Sequence, residues 1–348
     1  MSRTSVGGQI WRRAVVTRIV EETPACRSFE LEVEEASSVQ PGQYSALAVT
    51  IEGVRYVRCY SFSHVAALGE PPTITVKRQR GGVVSTWFND ECRLHETIEV
   101  GRPAGDFVVR PGTAPLLFLA AGSGITPIFA MLRSALIESD RRVTVLYANR
   151  ADSEVIFAAQ LDRLRHEFPG RFTVHHALTA QSRAHVDAVL SKTIAETRSA
   201  DIYLCGPAGF MRTCERIAAD LGIAPERIFS ESFLAEEADA PGGRPISVIV
   251  ERSGSTKVAV RTRVGATVLS ALLQSGEPQV GICGGQASCG TCRVSIDAAW
   301  NDTFAPASRS ERRLLDVLPN PTSAHRLACQ VRLTEAHANL VFACAPLQ

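Results

Sequence analysis

Three cysteines stand within ten residues of one another in "GICGGQASCGTCRVSI", residues 281–296: Cys283, Cys289 and Cys292. A fourth, Cys329, follows in "HRLACQV", so the spacing is C-x5-C-x2-C-x36-C. Four thiols that must meet force the chain to wrap a loop and bring back a distant segment. A structural zinc site commonly uses two short C-x2–4-C pairs, and only one is present here. Three thiolates in one loop with a remote fourth is the ferredoxin arrangement, whose plant-type spacing is C-x4-C-x2-C…C. The first gap here is one residue longer. Gly284, Gly285 and Gly290 would let backbone N–H groups turn toward sulfur. A 2Fe–2S cluster held by Cys283, Cys289, Cys292 and Cys329 is the expectation, with zinc as the alternative.

A disulfide framework is the third possibility, and composition argues against it. The N-terminus "MSRTSVGGQIWRRAVV" has no uninterrupted apolar segment of signal-peptide length. The apolar run "PLLFLAA" at 115–121 is too short for a bilayer and reads as a buried strand. A cytoplasmic protein that is neither embedded in a membrane nor bound to one is expected, where ten cysteines do not form a disulfide scaffold. Cys26, Cys59, Cys92, Cys214 and Cys344 are scattered and read as small inert hydrophobes. Net charge is +1, so nothing global points to nucleic acid. With 348 residues, 45% of them apolar and 21% charged, the chain is long enough for two or three well-buried domains.

Its texture changes twice. Residues 1–112 carry short alternating runs such as "RAVVTRIV", "SFELEVE" and "QYSALAVT", split by Gly and Pro, which predicts an antiparallel β-barrel. Residues 113–237 alternate strands ("APLLFLAAG", "RRVTVLYANR", "ADIYLCGP") with helices ("ITPIFAMLRSALIES", "IFAAQLDRLRHEF"), which predicts a parallel α/β sheet. Residues 238–245 fall in the polar, Gly- and Pro-bearing stretch "AEEADAPGGRP" and read as a linker. Residues 246–348 open with the strands "ISVIVE" and "KVAVRTR" and a helix "TVLSALLQS" before the cysteine loop.

Motifs in the first two blocks point to phosphate-bearing ligands. In "RCYSFS", a strand puts Arg58 and Tyr60 on one face and Ser61 on the other. A flat aromatic can cover a flavin ring, a hydroxyl can bond a ring nitrogen, and Arg can hold a phosphate; an ordinary strand with a surface Arg is the plainer alternative. In "VKRQRGGVVSTWFND", Gly81 and Gly82 turn the chain into a helix starting near Val83, where free N–H groups and the Ser85 and Thr86 hydroxyls can take an anion. In "LAAGSGITPIF", Gly122, Gly124 and Pro127 sit between a buried strand and a helix, so backbone can approach a pyrophosphate. This is G-x-G-x-x-P rather than G-x-G-x-x-G, and only partly meets the dinucleotide fingerprint. "YLCGPAGFM" ends another strand, placing Cys205 where open α/β sheets bind ligands.

The order of "RCYS", "GGVVS", "AGSGITP", "CGPAGFM" and the cysteine loop resembles the ferredoxin–NADP reductase superfamily, in the form with a C-terminal ferredoxin of β-grasp fold. Reductases of phenylacetyl-CoA epoxidase and of ring- and steroid-hydroxylating oxygenases share the layout. The resemblance implies that Tyr60 stacks on an isoalloxazine and Ser61 lies near its reactive nitrogen. It implies that Arg58, Gly82, Ser85 and Thr86 hold the flavin pyrophosphate; Val76, Lys77 and Val83 are further expected cofactor-binding residues. Gly122, Gly124, Thr126, Pro127, Gly206 and Pro207 would line the dinucleotide site, and Cys205 and Glu231 would flank the nicotinamide–flavin stack, making Ser61, Cys205 and Glu231 the catalytic set. The cysteine segment is closer to adrenodoxin and putidaredoxin, so the oxygenase class (Rieske, di-iron or haem) stays open.

The expected cofactors are FAD, favoured over FMN because "GGVVSTW" offers a place for a diphosphate, the 2Fe–2S cluster, and NADH or NADPH. Asn149 and Arg150 follow "VTVLYA" where an acidic residue usually holds the ribose 2′-hydroxyl. Arg150 could bind a 2′-phosphate and Asp152 argues the opposite; NADH is favoured through the resemblance. The expected activity is that of an NAD(P)H-dependent reductase, a monomer, delivering electrons through flavin and cluster to a terminal oxygenase. An iron–sulfur flavoprotein redox sensor, or a general diaphorase, is the alternative.

Overall fold

The computed structural model describes residues 5–6, 9–34, 38–179, 182–231, 243–252, 256–275, 281, 285, 290–297, 300, 303–318 and 320–345. The expected linker at 238–245 lies mostly outside the described residues. The chain divides into two compact units, residues 12–55 with 60–233, and residues 1–11 with 56–59 and 234–348.

A short hairpin of β1 (Ser5–Val6) and β2 (Gln9–Ile10) precedes β3 (Arg12–Thr23). There follow β4 (Cys26–Val33), β5 (Tyr44–Ile51), β6 (Val54–His64), β7 (Thr73–Lys77), helix α1 (Val83–Asp90) and β8 (Thr97–Val100). Strands β3 to β8 close into a barrel in the order β3-β4-β7-β6-β5-β8. Closure removes the unpaired edges that an open antiparallel sheet would expose. Its interior is filled by Phe29, Leu31, Leu47, Phe62 and Ile74, all at most 2% exposed. The buried hydroxyls bond one another: Ser63 Oγ and Ser28 Oγ each lie 2.8 Å from Thr75 Oγ1. That pairing avoids the cost of ~1–3 kcal/mol for an unsatisfied buried polar group.

The second half of this unit runs β9 (Leu116–Ala121), α2 (Ile125–Glu138), β10 (Val143–Asn149), α3 (Ala158–Glu167), β11 (Phe172–Leu178), α4 (Arg183–Glu196), β12 (Asp201–Cys205), α5 (Ala208–Asp220) and β13 (Ile228–Glu231). All five strands are parallel, in the order β11-β10-β9-β12-β13. Every residue of β9 is buried, as a strand covered on both faces requires. Leu116, Phe118 and Ala120 join the core under α2 and α3, whereas Leu117, Leu119 and Ala121 join the core under α4 and α5. The order reverses at β9, whose neighbours β10 and β12 are reached in opposite directions, so its carboxyl end is the switch point where ligands bind in such sheets.

In the other unit, β14 (Pro245–Glu251), β15 (Lys257–Arg263), α6 (Val268–Gln274), β16 (Arg293–Ile296), α7 (Arg309–Val317), β17 (His325–Leu327) and β18 (Val341–Cys344) form a mixed sheet ordered β15-β14-β18-β16-β17. Helix α6 is capped by Thr267, whose hydroxyl accepts from Ser270 N, and buries Val268, Leu269, Ala271 and Leu272. A parallel β14–β18 pair inside an otherwise antiparallel sheet, with one helix across it, is the β-grasp arrangement. No helix among the described residues is long and apolar enough to cross a membrane.

Candidate functional site

The carboxyl ends of the parallel strands carry the densest chemistry. Between β9 and α2, Gly122 has φ +54°, a left-handed conformation that favours glycine, and its carbonyl accepts from the Tyr147 hydroxyl at 2.9 Å. Gly124 is ordinary helical backbone, yet a Cβ there would lie 2.1 Å from the Cys205 carbonyl oxygen. Only glycine lets the turn lie on the end of β12. Gly206 is similarly tight, since a Cβ on it would meet Ala121 Cβ at 2.9 Å. Thr126 donates from its hydroxyl to Ser123 O at 3.0 Å and pins the turn. Pro127 sits in the first turn of α2, where its missing N–H costs nothing. No side chain caps α2, and its first N–H, on Ile125, bonds back to Gly122 O and Ser123 O. Pro207 is the residue before α5.

At the end of β10, Asn149 is 5% exposed, its amide lies beside the Tyr147 hydroxyl, and neither its Nδ2 nor its Oδ1 has a well-formed hydrogen bond among the described residues. A buried amide left this way is costly unless a ligand completes it. Arg150, the next residue, is exposed.

Ser61, Cys205 and Glu231 come together. Cys205 and Glu231 are register partners at the ends of β12 and β13, and the buried Ser61 hydroxyl hydrogen-bonds to the Glu231 carboxyl. Burial pushes the Glu231 carboxyl up to about 8, against the Ser61 hydrogen bond that lowers it, so it is mostly protonated at neutral pH. Its Oε2 has no partner among the described residues. Burial, reinforced by Glu231, raises the Cys205 thiol well above its ordinary value and keeps it S–H. Gly105 has φ +107°, and a Cβ on it would come 3.0 Å from the Tyr44 ring and 3.9 Å from Glu231 Oε1. Gly105 is thus the close neighbour of both Tyr44 and Glu231; Tyr44 lies in the strand run "QYSALAVT", where no motif marked it. Among the described residues the site thus offers a hydroxyl, a thiol and a neutral carboxyl.

On the barrel, Tyr60 is half-buried and edge-on to Phe88, with ring centroids 5.6 Å apart. Val76 is buried and Lys77 closes β7. Gly82 precedes α1, where a Cβ would strike Ser85 Oγ at 2.6 Å. Ser85 is buried and its Oγ accepts from Gln79 N at 3.1 Å, fixing the turn, whereas Thr86 is half-buried and Val83 is 47% exposed. Arg58 is half-buried in β6. Lys77 Nζ donates to Glu154 Oε2 at 2.8 Å, joining residues 77 positions apart that no motif links.

Of the four cysteines expected to hold a cluster, Cys283 and Cys289 lie outside the described residues. Cys292 and Cys329 converge, with their sulfurs 3.4 Å apart. That is far longer than a disulfide bond of ~2.05 Å and suits two thiolates sharing a metal centre. Gln330 Nε2 lies 3.5 Å from Cys329 Sγ, a donor toward sulfur, and also donates to Gly285 O at 3.0 Å. Gly285 (φ +87°) and Gly290 (φ +70°) turn the loop through left-handed backbone. Behind it, the buried Glu311 of α7 accepts from Arg326 Nε at 2.9 Å, Arg326 Nη2 at 3.2 Å and Leu327 N at 2.8 Å, tying down the strand that leads to Cys329. The donor set fits an iron–sulfur cluster. Cys26 and Cys92 are buried, and burial pushes both thiols up to about 12, in keeping with inert core cysteines.

Residues 13–109 match the FAD-binding domain model of oxidoreductases, residues 118–216 the oxidoreductase NAD-binding domain, and residues 251–334 the 2Fe–2S iron–sulfur cluster binding domain. The chain is 32% identical over 333 residues to the ferredoxin reductase component of 3-ketosteroid-9-alpha-monooxygenase from Mycobacterium tuberculosis, covering 88% of this chain and 92% of the relative. The corresponding component from Rhodococcus rhodochrous is 29% identical over 346 residues, covering 94% and 95%. Phthalate dioxygenase reductase shares the fold across 96% of this chain and 98% of its own, with a TM-score of 0.59 at 21% identity.

Proposed function

Because the chain belongs to the oxygenase-reductase branch of the ferredoxin–NADP reductase superfamily, with FAD, NAD and 2Fe–2S domains in one polypeptide, we propose that it carries electrons from NAD(P)H to a terminal oxygenase. The observation that carries the reading is the presence of all three domains in a chain that aligns with a reductase component over 88% of its length. A flavin supplies the step between a two-electron hydride donor and a one-electron cluster. The protein's own residues supply geometry and protons.

In this reading the barrel, residues 1–112, holds FAD. Tyr60 covers the ring, Arg58, Gly82, Val83, Ser85 and Thr86 take the diphosphate, and Val76 completes the wall; Lys77, at the end of β7, reaches the Gly122 turn of the α/β domain. The α/β domain, residues 113–237, takes the dinucleotide on Gly122, Gly124, Thr126, Pro127, Gly206 and Pro207. The Asn149 amide and Arg150 meet its adenosine half. Ser61, Cys205 and Glu231 bound the place where nicotinamide and flavin meet; Glu231, as a neutral carboxyl, holds a proton that the Ser61 hydroxyl can pass on. Residues 238–245 link to the ferredoxin domain, 246–348, where Cys283, Cys289, Cys292 and Cys329 hold the cluster. We favour NADH as donor, a monomer as the working form and the cytoplasm as its place. The names of the M. tuberculosis and R. rhodochrous relatives put a steroid-hydroxylating oxygenase first among acceptors to assay.

The visible spectrum of the purified protein tests this. Flavin bands over a broad thiolate-to-iron envelope, both bleached by NADH, are expected. A spectrum with flavin bands alone and stoichiometric zinc would overturn the cluster, and failure of either nicotinamide to bleach the flavin would overturn the reductase.

A further inference from the structure

Lys77 ends β7 in the barrel, and Glu154 stands in the short turn after β10, in the α/β half of the same compact unit. Their 2.8 Å ion pair is partly buried, with the side chains 20% and 30% exposed. A Cβ on Gly122 would lie 3.9 Å from the same Nζ. The ammonium therefore stands over the bare backbone of the turn that opens α2. An ammonium has three N–H donors, of which Glu154 takes one. The carboxylate's pKa is held below its ordinary value, chiefly by the Lys77 hydrogen bond, so Glu154 is charged at neutral pH.

We propose that Glu154 sets the affinity of the dinucleotide site: its carboxylate competes with the coenzyme's diphosphate for the Lys77 ammonium. The proposal rests on the reading of the Gly122 turn as the diphosphate site. A diphosphate seated there and the Glu154 carboxylate are like charges on either side of one cation, and they repel across a part-buried space where screening is weak. The coenzyme must loosen the ion pair to enter, and the pair re-forms as the oxidised coenzyme leaves. An internal counter-ion of this kind gives up binding strength for faster product release, which is often the slow step of turnover.

The test is calorimetric titration of the flavin-loaded full chain with ADP-ribose, which carries the diphosphate but no nicotinamide, at low ionic strength. Lys77→Met weakens ADP-ribose binding. Glu154→Gln tightens it by about threefold, the size expected for releasing a part-exposed ion pair. In the Lys77→Met background, Glu154→Gln has no further effect, because the cation competed for is gone. Adenosine, lacking the diphosphate, binds wild type and Glu154→Gln alike. If Lys77→Met weakens ADP-ribose but Glu154→Gln leaves it unchanged or weaker, Glu154 merely holds Lys77 in place; the proposal fails and the site reading stands. If Lys77→Met itself changes nothing, the assignment of Lys77 to the diphosphate site fails, and the proposal with it. Unchanged flavin absorbance and melting temperature in each variant establish that the fold is intact.

Discussion

At the residue scale, Glu231 is the most perturbed carboxyl that the proposed chemistry uses. Its folded pKa of about 8 lies above the ordinary 4.5, so between these values the folded state holds a proton that the unfolded chain has lost. Stability therefore falls as pH rises through that window, and is fully present only below about 4.5. Glu231→Gln, neutral at every pH, removes this slope. Thermal melts of the flavin-loaded protein at intervals from pH 5 to 9 are expected to show the wild type losing melting temperature relative to the variant, with the gap closing toward the acid end. A second residue-scale expectation concerns Arg150. If its guanidinium takes the 2′-phosphate, Arg150→Ala raises the KM for NADPH by about tenfold, the usual worth of a charged hydrogen bond, and the KM for NADH far less; equal effects would remove that role. The sequence could nominate Ser61, Cys205 and Glu231 through their motifs, but it could not show that they touch. The hydrogen bond between Ser61 and Glu231 joins a barrel strand to an α/β strand 170 residues further along. Glu154 was illegible for the same reason: its meaning comes from Lys77, on a different element.

At the scale of elements, the glycine motif after β9 was legible, but the reasons for its two glycines differ. Gly122 is required by its own dihedral, Gly124 by its neighbour. Gly124→Ala has no backbone penalty of its own, so its cost reads out the contact of the turn with the Cys205 carbonyl alone. Overpacking of this kind costs ~1–3 kcal/mol or more. Denaturant unfolding is expected to show at least that loss, together with weaker ADP-ribose binding; a neutral result would mean the turn is looser than the structure shows. Helix α7 makes the complementary point. Ser308 and Glu311 have the spacing of a capping box, and Ser308 Oγ does accept from Glu311 N at 3.1 Å. The Glu311 carboxylate, however, turns to Arg326 and Leu327. Breaking a buried pair by removing one partner costs ~3–5 kcal/mol, so Glu311→Ala is expected to lower the melting temperature and loosen iron retention, measured by chelator-induced bleaching. Strand β11 and helix α4 were not anticipated at all. In β11 the "HH" of "FTVHHAL" interrupts the apolar run, and the apolar stripe that α4 buries is thin, with Val186, Leu190 and Ile194 beside Thr193.

For the whole molecule, the two architectures expected from the texture, a barrel and then a parallel sheet, are both present, and the sheet begins with β9 at Leu116. Alternating and continuous hydrophobic runs bury different faces, so the two architectures differ in the sequence itself. The order of the electron path was legible for a chemical reason: a hydride donor and a one-electron cluster can be joined only through a two-electron carrier that releases electrons singly. That order makes a prediction about separable failure. Cys329→Ser removes a thiolate whose sulfur lies 3.4 Å from that of Cys292, in the unit that contains Arg58 but not Tyr60, Ser61, Cys205 or Glu231. Stopped-flow reduction of the flavin by NADH is therefore expected to stay within about twofold of wild type, whereas reduction of cytochrome c or of an oxygenase should fall by more than the ~10–100-fold typical of lost outer-shell partners. Iron content and the thiolate-to-iron absorbance fall in parallel, which separates loss of the cluster from loss of docking. If a flavin-loaded Cys329→Ser protein still reduced the acceptor at the wild-type rate, electrons would be leaving from the flavin directly, and the cluster would stand beside the path rather than on it.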